Sequence, residues 1–192
     1  MGKPQYHQVF KDMTNWYKMA QDKKTMIIVR GVSGSGKSTL AAELGKEGVV
    51  LSTDDYFYDD EGNYNFDPKK LSVAHKWNQD RTEKAMQNGA PLVVIDNTNV
   101  KFNEFFYYLK LAKKYGYTIK YVEPNWDENL KTPEGKWNFN FLSEQQKNKN
   151  RQDINKTIPD YVVQRQIDRY QYRHPNETDD DLSKRIFNMF DK

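Results

Sequence analysis

Eight consecutive residues, Gly31-Val32-Ser33-Gly34-Ser35-Gly36-Lys37-Ser38, have the types and spacing to hold a polyphosphate. They fit G-x-x-x-x-G-K-[ST] in full, after a β-branched run and at the head of a helical one. Glycines let backbone N–H groups converge on phosphate oxygens that a Cβ would keep away. The start of the following helix adds partial positive charge at the same point. In this pattern Lys37 reaches the β- and γ-phosphates and the Ser38 hydroxyl ligates Mg²⁺. Gly31, Ser33, Gly34, Ser35, Gly36 and Thr39 complete the expected cradle.

Phosphoryl transfer to an alcohol also needs an acceptor for the proton of the attacking hydroxyl. Asp54 and Asp55, in Ser52-Thr53-Asp54-Asp55-Tyr56-Phe57, follow a second short apolar run. Ligands of open parallel sheets bind outside the carboxyl ends of the strands, which brings this pair beside the cradle. Asp54 is the expected base; Asp55 is the alternative, and either could instead cap the turn. Asp96 ends a third apolar run, Leu92–Asp96, and is expected to lie across from Ser38 and help hold Mg²⁺. Its bland reading is a loop cap, with Asn97 and Asn99 bonding backbone groups.

Other nucleotide chemistries lack their residues. No Asn-Lys-x-Asp guanine reader follows a late strand, and Asp96 is followed by Asn97 rather than a water-polarising Glu. His-Arg-Asp and Asp-Phe-Gly are absent as well. Transfer to a substrate hydroxyl therefore ranks above hydrolysis.

Hydrophobic periodicity supplies the elements that must position these groups. Strands are expected at 26–30, 49–52, 92–95 and 117–122, with helices at 39–44, 69–88, 102–115 and 159–173. Alternating strands and helices imply a parallel sheet with right-handed crossovers, an α/β fold. Residues 6–21 read as an amphipathic N-terminal helix, and Thr178 caps a last helix striped by Leu182, Ile186, Phe187 and Phe190. The expected organisation is an N-terminal helix over 1–24, a nucleotide domain over 25–175 with a lid or insertion at about 125–158, and a C-terminal helix over 176–192.

On the 69–88 helix, Leu71, Ala74, Asn78, Arg81 and Ala85 share one face, bordered by His75. Polar groups on an inward stripe need partners, because unpaired burial is unfavourable. An acceptor phosphate or hydroxyl could partner His75, Asn78 and Arg81; loop backbone is the equally ordinary alternative. His75 alone is no metal site.

The motifs GVSGSGKST, STDDYF and VIDNTN, in that order, resemble the P-loop kinase superfamily branch that includes bacteriophage polynucleotide kinase. The stretch from FDPKKLSVAHKWNQDRTEKAMQNG to GYTIKYVEP is similar to a kinase-like module of eukaryotic proteins named for binding a HECT-type ubiquitin ligase. The myelin cyclic-nucleotide phosphodiesterase family carries a related, weaker version. The likeness covers roughly residues 25–124 well and 137–171 loosely. It implies ATP-dependent phosphorylation of a hydroxyl, in the best-known member the 5′-hydroxyl of RNA or DNA, with the catalytic aspartate falling on Asp54. It also implies a lid arginine near the transferred phosphate, for which Arg151 is the candidate. Two positions depart from the family pattern: Phe57 stands where it has an arginine, and Asn97 where it has a substrate-contacting aspartate.

Composition bounds the rest. The 192 residues carry 30 Lys+Arg against 27 Asp+Glu, three His and no Cys. Zero cysteines remove disulfide scaffolds and thiol catalysis, and a net +3 announces no nucleic-acid partner by itself. With no signal-like or membrane-length apolar run, a cytoplasmic setting without membrane association is expected. The 53–67 loop holds six acids and no Lys or Arg, interleaved with Tyr56, Phe57, Tyr58, Tyr64 and Phe66. Acids repel polyanions, yet bases stack on such rings. Residues 144–173 offset the loop with seven Lys/Arg against four acids. A 5′-hydroxyl oligonucleotide is the leading acceptor, a nucleoside- or sugar-like alcohol the second, and a non-catalytic ATP-binding adaptor the third reading.

Overall fold

The computed structural model describes residues 23–148 and 158–191. The expected N-terminal helix and Arg151, with Lys149 and Lys156, lie outside the described residues.

Four parallel strands form the sheet: β1 (Thr25–Val29), β2 (Val49–Leu51), β3 (Leu92–Asp96) and β4 (Thr118–Val122), in the order β2-β3-β1-β4. β1 and β3 are buried along their whole length, as strands covered on both faces must be. Met26 and Ile28 of β1 point to one face with Val93 and Ile95 of β3. Ile27, Val29, Leu92 and Val94 point to the other. This two-residue alternation splits the core into two layers.

One layer is closed by α1 (Lys37–Leu44) through Leu40, Ala41 and Leu44. The other is closed by α2 (Leu71–Gln87), α3 (Phe102–Tyr115) and α6 (Asp179–Phe190), through Met86, Phe105, Leu109, Leu182 and Ile186. A third, smaller core joins α4 (Phe139–Asn148) and α5 (Asp160–Arg169) to the cradle: Val32, Val100, Leu130, Trp137, Leu142 and Val163. The α4 helix falls partly in the stretch that shows no periodicity in the sequence. Its interior is short, with Leu142, Ser143 and Gln146 as its buried residues.

Register sets the geometry of the site. Val29 pairs with Asp96, and Leu51 and Ile28 both pair with Ile95. The carboxyl ends of β2, β3 and β1 therefore end side by side. The chain leaves β1 toward β2 and leaves β3 toward β4, so a crevice opens where the two exits diverge.

Arg30 fixes this edge. It is 2% exposed, and its guanidinium donates to the carbonyls of Asn99, Val100 and Gln171 at 2.8, 2.9 and 2.7 Å. It also stacks on Tyr170 at 4.4 Å from the ring centre. One buried cation thus ties the end of β1 to the turn after β3 and to the segment after α5.

The last helix begins as its spacing predicts, with the Thr178 hydroxyl accepting the Asp181 N–H at 3.1 Å. Before it, the Glu177 carboxylate takes Nε and Nη2 of Arg185, both at 2.8 Å, and the His174 N–H at 3.1 Å. Arg185 first, with His174 also contributing, holds the Glu177 carboxyl at about 2. The unfolded chain binds this proton nearer pH 4.5, so the stabilisation is complete above that pH and is lost as pH falls toward 2. At pH 7 Glu177→Gln is expected to lower the unfolding free energy by roughly 3 kcal/mol, a difference that shrinks toward zero near pH 2. Urea titrations across that range check it.

Candidate active site

The cradle is the turn between β1 and α1, and distant parts of the chain hold it. Ser35 N–H donates to the Val32 carbonyl at 3.1 Å. Trp126 Nε1 donates to the Ser35 carbonyl at 2.8 Å, and Ser33 N–H donates to Gln166 Oε1 of α5 at 2.8 Å. Gly34 and Gly36 have φ of 90° and 85°, the left-handed region that side chains disfavour. At Gly34 an added Cβ would also lie 2.9 Å from the Leu142 carbonyl oxygen and 3.2 Å from Gln146 Cγ. Gly34→Ala is therefore expected to destabilise the fold by about 2 kcal/mol and to weaken nucleotide binding. Thermal melts with and without ATP test both parts.

Two observations fit a polyphosphate to this turn. Ser35 is wholly buried, yet its Oγ has no hydrogen-bond partner among the described residues. A Cβ at Gly31 would stand 2.7 Å from that same oxygen, so the glycine keeps the space beside it open. A phosphate oxygen would satisfy the hydroxyl. Ser38 and Thr39 are exposed at the head of α1, open to a metal-bound phosphate. Lys37 Nζ rests on Asp96 Oδ1 at 2.8 Å, with the two side chains 14% and 8% exposed. The cation for the phosphates and the carboxylate expected near Mg²⁺ are thus held against each other.

Asp54 and Asp55 stand on a 3-10 turn, Thr53–Phe57, that starts as β2 ends. Both are exposed, but they differ in partners. Asp55 Oδ2 is 2.6 Å from Arg81 Nη2. Asp54 Oδ1 accepts only a long bond from Tyr64 Oη, 3.4 Å, among the described residues. Arg81 donates to the Ser52 carbonyl and to Asn78 Oδ1, each at 2.8 Å, and lies over the Trp77 ring at 4.0 Å. Asn78 Nδ2 in turn donates to Tyr108 Oη at 2.9 Å. Burial raises the Tyr108 phenol above its usual range, so it stays a neutral hydroxyl in this network.

The structure sorts the sequence candidates into two groups. Asp54, Asp55, His75, Arg81 and Asn97 surround the turn after β2. Asn97 Oδ1 accepts the Thr53 N–H at 3.0 Å, and His75 Nδ1 lies 3.3 Å from Thr53 Oγ1. Asn78, for which an acceptor and loop backbone are equal alternatives, is 0% exposed, and Asn99, a candidate acceptor contact whose alternative is a bond to backbone, is 1% exposed. Asn78 braces Arg81 against α3. Asn99, at φ 52°, donates from Nδ2 to the Val29 carbonyl at 2.8 Å and pins the turn after β3 to β1. The partners of these two amides lie 30 and 70 residues away, so local spacing could not reveal them. Sequence reasoning missed Gln166, Trp126 and Arg30, whose cradle or edge contacts are equally remote.

Solved structures share this architecture. A chain in the Pnkp1/Rnl/Hen1 RNA repair complex aligns over 77% of this chain and 44% of its own, with TM-score 0.59 and 17% identity. A chain of the AvrRxo1-ORF1:-ORF2 complex aligns over 85% of this chain and 55% of its own, with TM-score 0.51 and 15% identity. In sequence, human NEDD4-binding protein 2 is 44% identical over 103 residues, 52% of this chain but only 6% of that protein. The family model AAA_33, described as an AAA domain, matches residues 26–174, from the first strand of the sheet to the segment that Arg30 ties down. A match over residues 26–174, well over half of its length, makes this chain a member of the AAA_33 family of AAA domains.

Proposed function

We propose that this chain is an ATP-dependent phosphotransferase that moves the γ-phosphate to a hydroxyl, the 5′-hydroxyl of a polynucleotide end. The observation that carries the reading is the pairing of Leu51 and Ile28 with Ile95, which sets the cradle and Asp54 on one edge of the sheet. Backbone amides of the cradle bind the phosphates, and Lys37 neutralises the charge that moves with the γ-phosphoryl group. Ser38 and Asp96 are the residues that would hold magnesium, which would supply further charge neutralisation. As the acceptor oxygen bonds to the γ-phosphorus and the bond to the ADP oxygen breaks, Asp54 takes the hydroxyl proton.

Asp54 is the better base because Arg81 occupies Asp55 at 2.6 Å. Support for a polynucleotide over a small alcohol comes from exposure. Asp54 stands on an open rim, whereas small substrates are enclosed on most sides. Lys69 and Lys70, both exposed on the neighbouring turn, suit a chain of phosphates, whereas Lys76 is paired with Asp80 at 2.7 Å.

Incubation with γ-labelled ATP, 5′-hydroxyl oligonucleotides and a panel of small alcohols tests the proposal. Label in the oligonucleotide is expected. Label confined to a small alcohol would replace the acceptor. Binding of ATP with transfer to nothing would replace catalysis with an adaptor role, such as the protein binding recorded in the name of the human relative.

A further inference from the structure

The loop that carries Asp54 returns as a small, rigid aromatic platform. Tyr58 and Tyr64 pair in an isolated antiparallel bridge, and Asn65 N–H donates to the Phe57 carbonyl at 2.8 Å. Asp59 closes the tip by accepting the N–H groups of Glu61 and Asn63 at 3.0 and 2.8 Å. Phe57 is 4% exposed and serves as the floor. Phe66 meets it edge-on at 5.0 Å, and Tyr64 stacks on it at 6.2 Å. Two rings of this loop are exposed in part, Phe66 by 51% and Tyr58 by 38%.

Two features single out this patch from a merely incomplete core. Tyr64 belongs to it and also reaches Asp54, so the platform adjoins the proposed base. Lys69 and Lys70 follow Phe66 on the next turn, Pro68–Lys70, and both are exposed. A proton acceptor, an exposed ring and two cations then follow one another along the chain, at Asp54, Phe66, Lys69 and Lys70. The 5′ end of a polynucleotide has the same order of groups, hydroxyl, base and phosphate. The hydrogen-bonded tip holds the ring in place before binding, so little ordering opposes it.

We propose that Phe66, braced by Phe57 and Tyr64, stacks the nucleobase of the 5′-terminal nucleotide whose hydroxyl is phosphorylated. This rests on the polynucleotide reading above and names the residue that would set its preference for a base-bearing end. Stacking is tolerant of base identity, so the site discriminates presence of a base rather than its sequence.

The test compares two oligonucleotide acceptors, one with a 5′-terminal base and one whose terminal sugar is abasic but keeps its 5′-hydroxyl. With the unaltered chain, the abasic end is expected to raise KM on the order of tenfold. Phe66→Ala should raise KM for the base-bearing end by a similar factor, leave KM for the abasic end and for ATP unchanged, and be rescued by Phe66→Trp. Equal KM for both ends in the unaltered chain would overturn the platform and leave the polynucleotide reading standing. So would an equal loss on both ends in Phe66→Ala. No transfer to either end would overturn the polynucleotide reading, and the platform with it.

Discussion

Replacing Lys37 with alanine is expected to lower kcat/KM for phosphoryl transfer by roughly a thousandfold. In the proposed reaction the ammonium at this position is the positive charge of the cradle, aimed where charge moves as the γ-phosphoryl group leaves. In the structure it is paired with Asp96 at 2.8 Å, and Asp96 itself is only 6% exposed. Its removal therefore has a second consequence. The Asp96 carboxylate is left nearly buried without its cation, which destabilises the fold by about 2 kcal/mol. The two effects separate in the double variant Lys37→Ala/Asp96→Asn. Replacing the stranded carboxylate should restore the melting temperature while transfer stays lost. Recovery of turnover together with stability would mean that Lys37 serves the fold alone, and the phosphate-binding role would fall.

The same ion pair shows what the sequence could and could not reveal. The phosphate-binding turn was legible because its physics is local: glycines, lysine and serine lie within eight residues, directly after a β-branched strand. The four strands and the Phe102–Tyr115 helix were legible for the same reason, as periodic runs with clear ends. What holds the turn in shape was not. Gln166 lies 133 residues from Ser33, Trp126 lies 91 from Ser35, and Arg30 reaches Gln171 across 141. Each is an ordinary polar or aromatic residue until the fold brings it to its partner. Asn78 shows where the sequence left a choice open. Its polarity on an inward stripe called for a partner, with an acceptor and loop backbone as equal alternatives, and the fold supplies a tyrosine of α3 and the Leu51 carbonyl. The Asp54–Asp55 ambiguity likewise needed the fold, because Arg81 approaches from a different element.

That asymmetry between the two aspartates leads to the second large effect. Asp54→Ala is expected to lower kcat about a thousandfold while ATP binding stays near that of the unaltered chain. The cradle is built from residues 31–39 and held by α4 and α5, and Asp54 contributes nothing to it. Asp54 is exposed, and among the described residues its one side-chain bond is the long contact to Tyr64 at 3.4 Å, so its loss should leave the fold intact. Asp54→Asn keeps the shape and that contact but cannot accept a proton, and should be as inactive as the alanine variant. Asp55→Ala should behave differently. It releases Arg81 from a 2.6 Å ion pair, leaving Arg81 its bonds to Ser52 and Asn78. The expected result there is a raised acceptor KM with a smaller fall in kcat, since the turn loses a brace but keeps its base. If Asp54→Asn instead retains turnover while Asp55→Ala abolishes it, the base is Asp55, and the ion pair with Arg81 must open for the reaction to proceed.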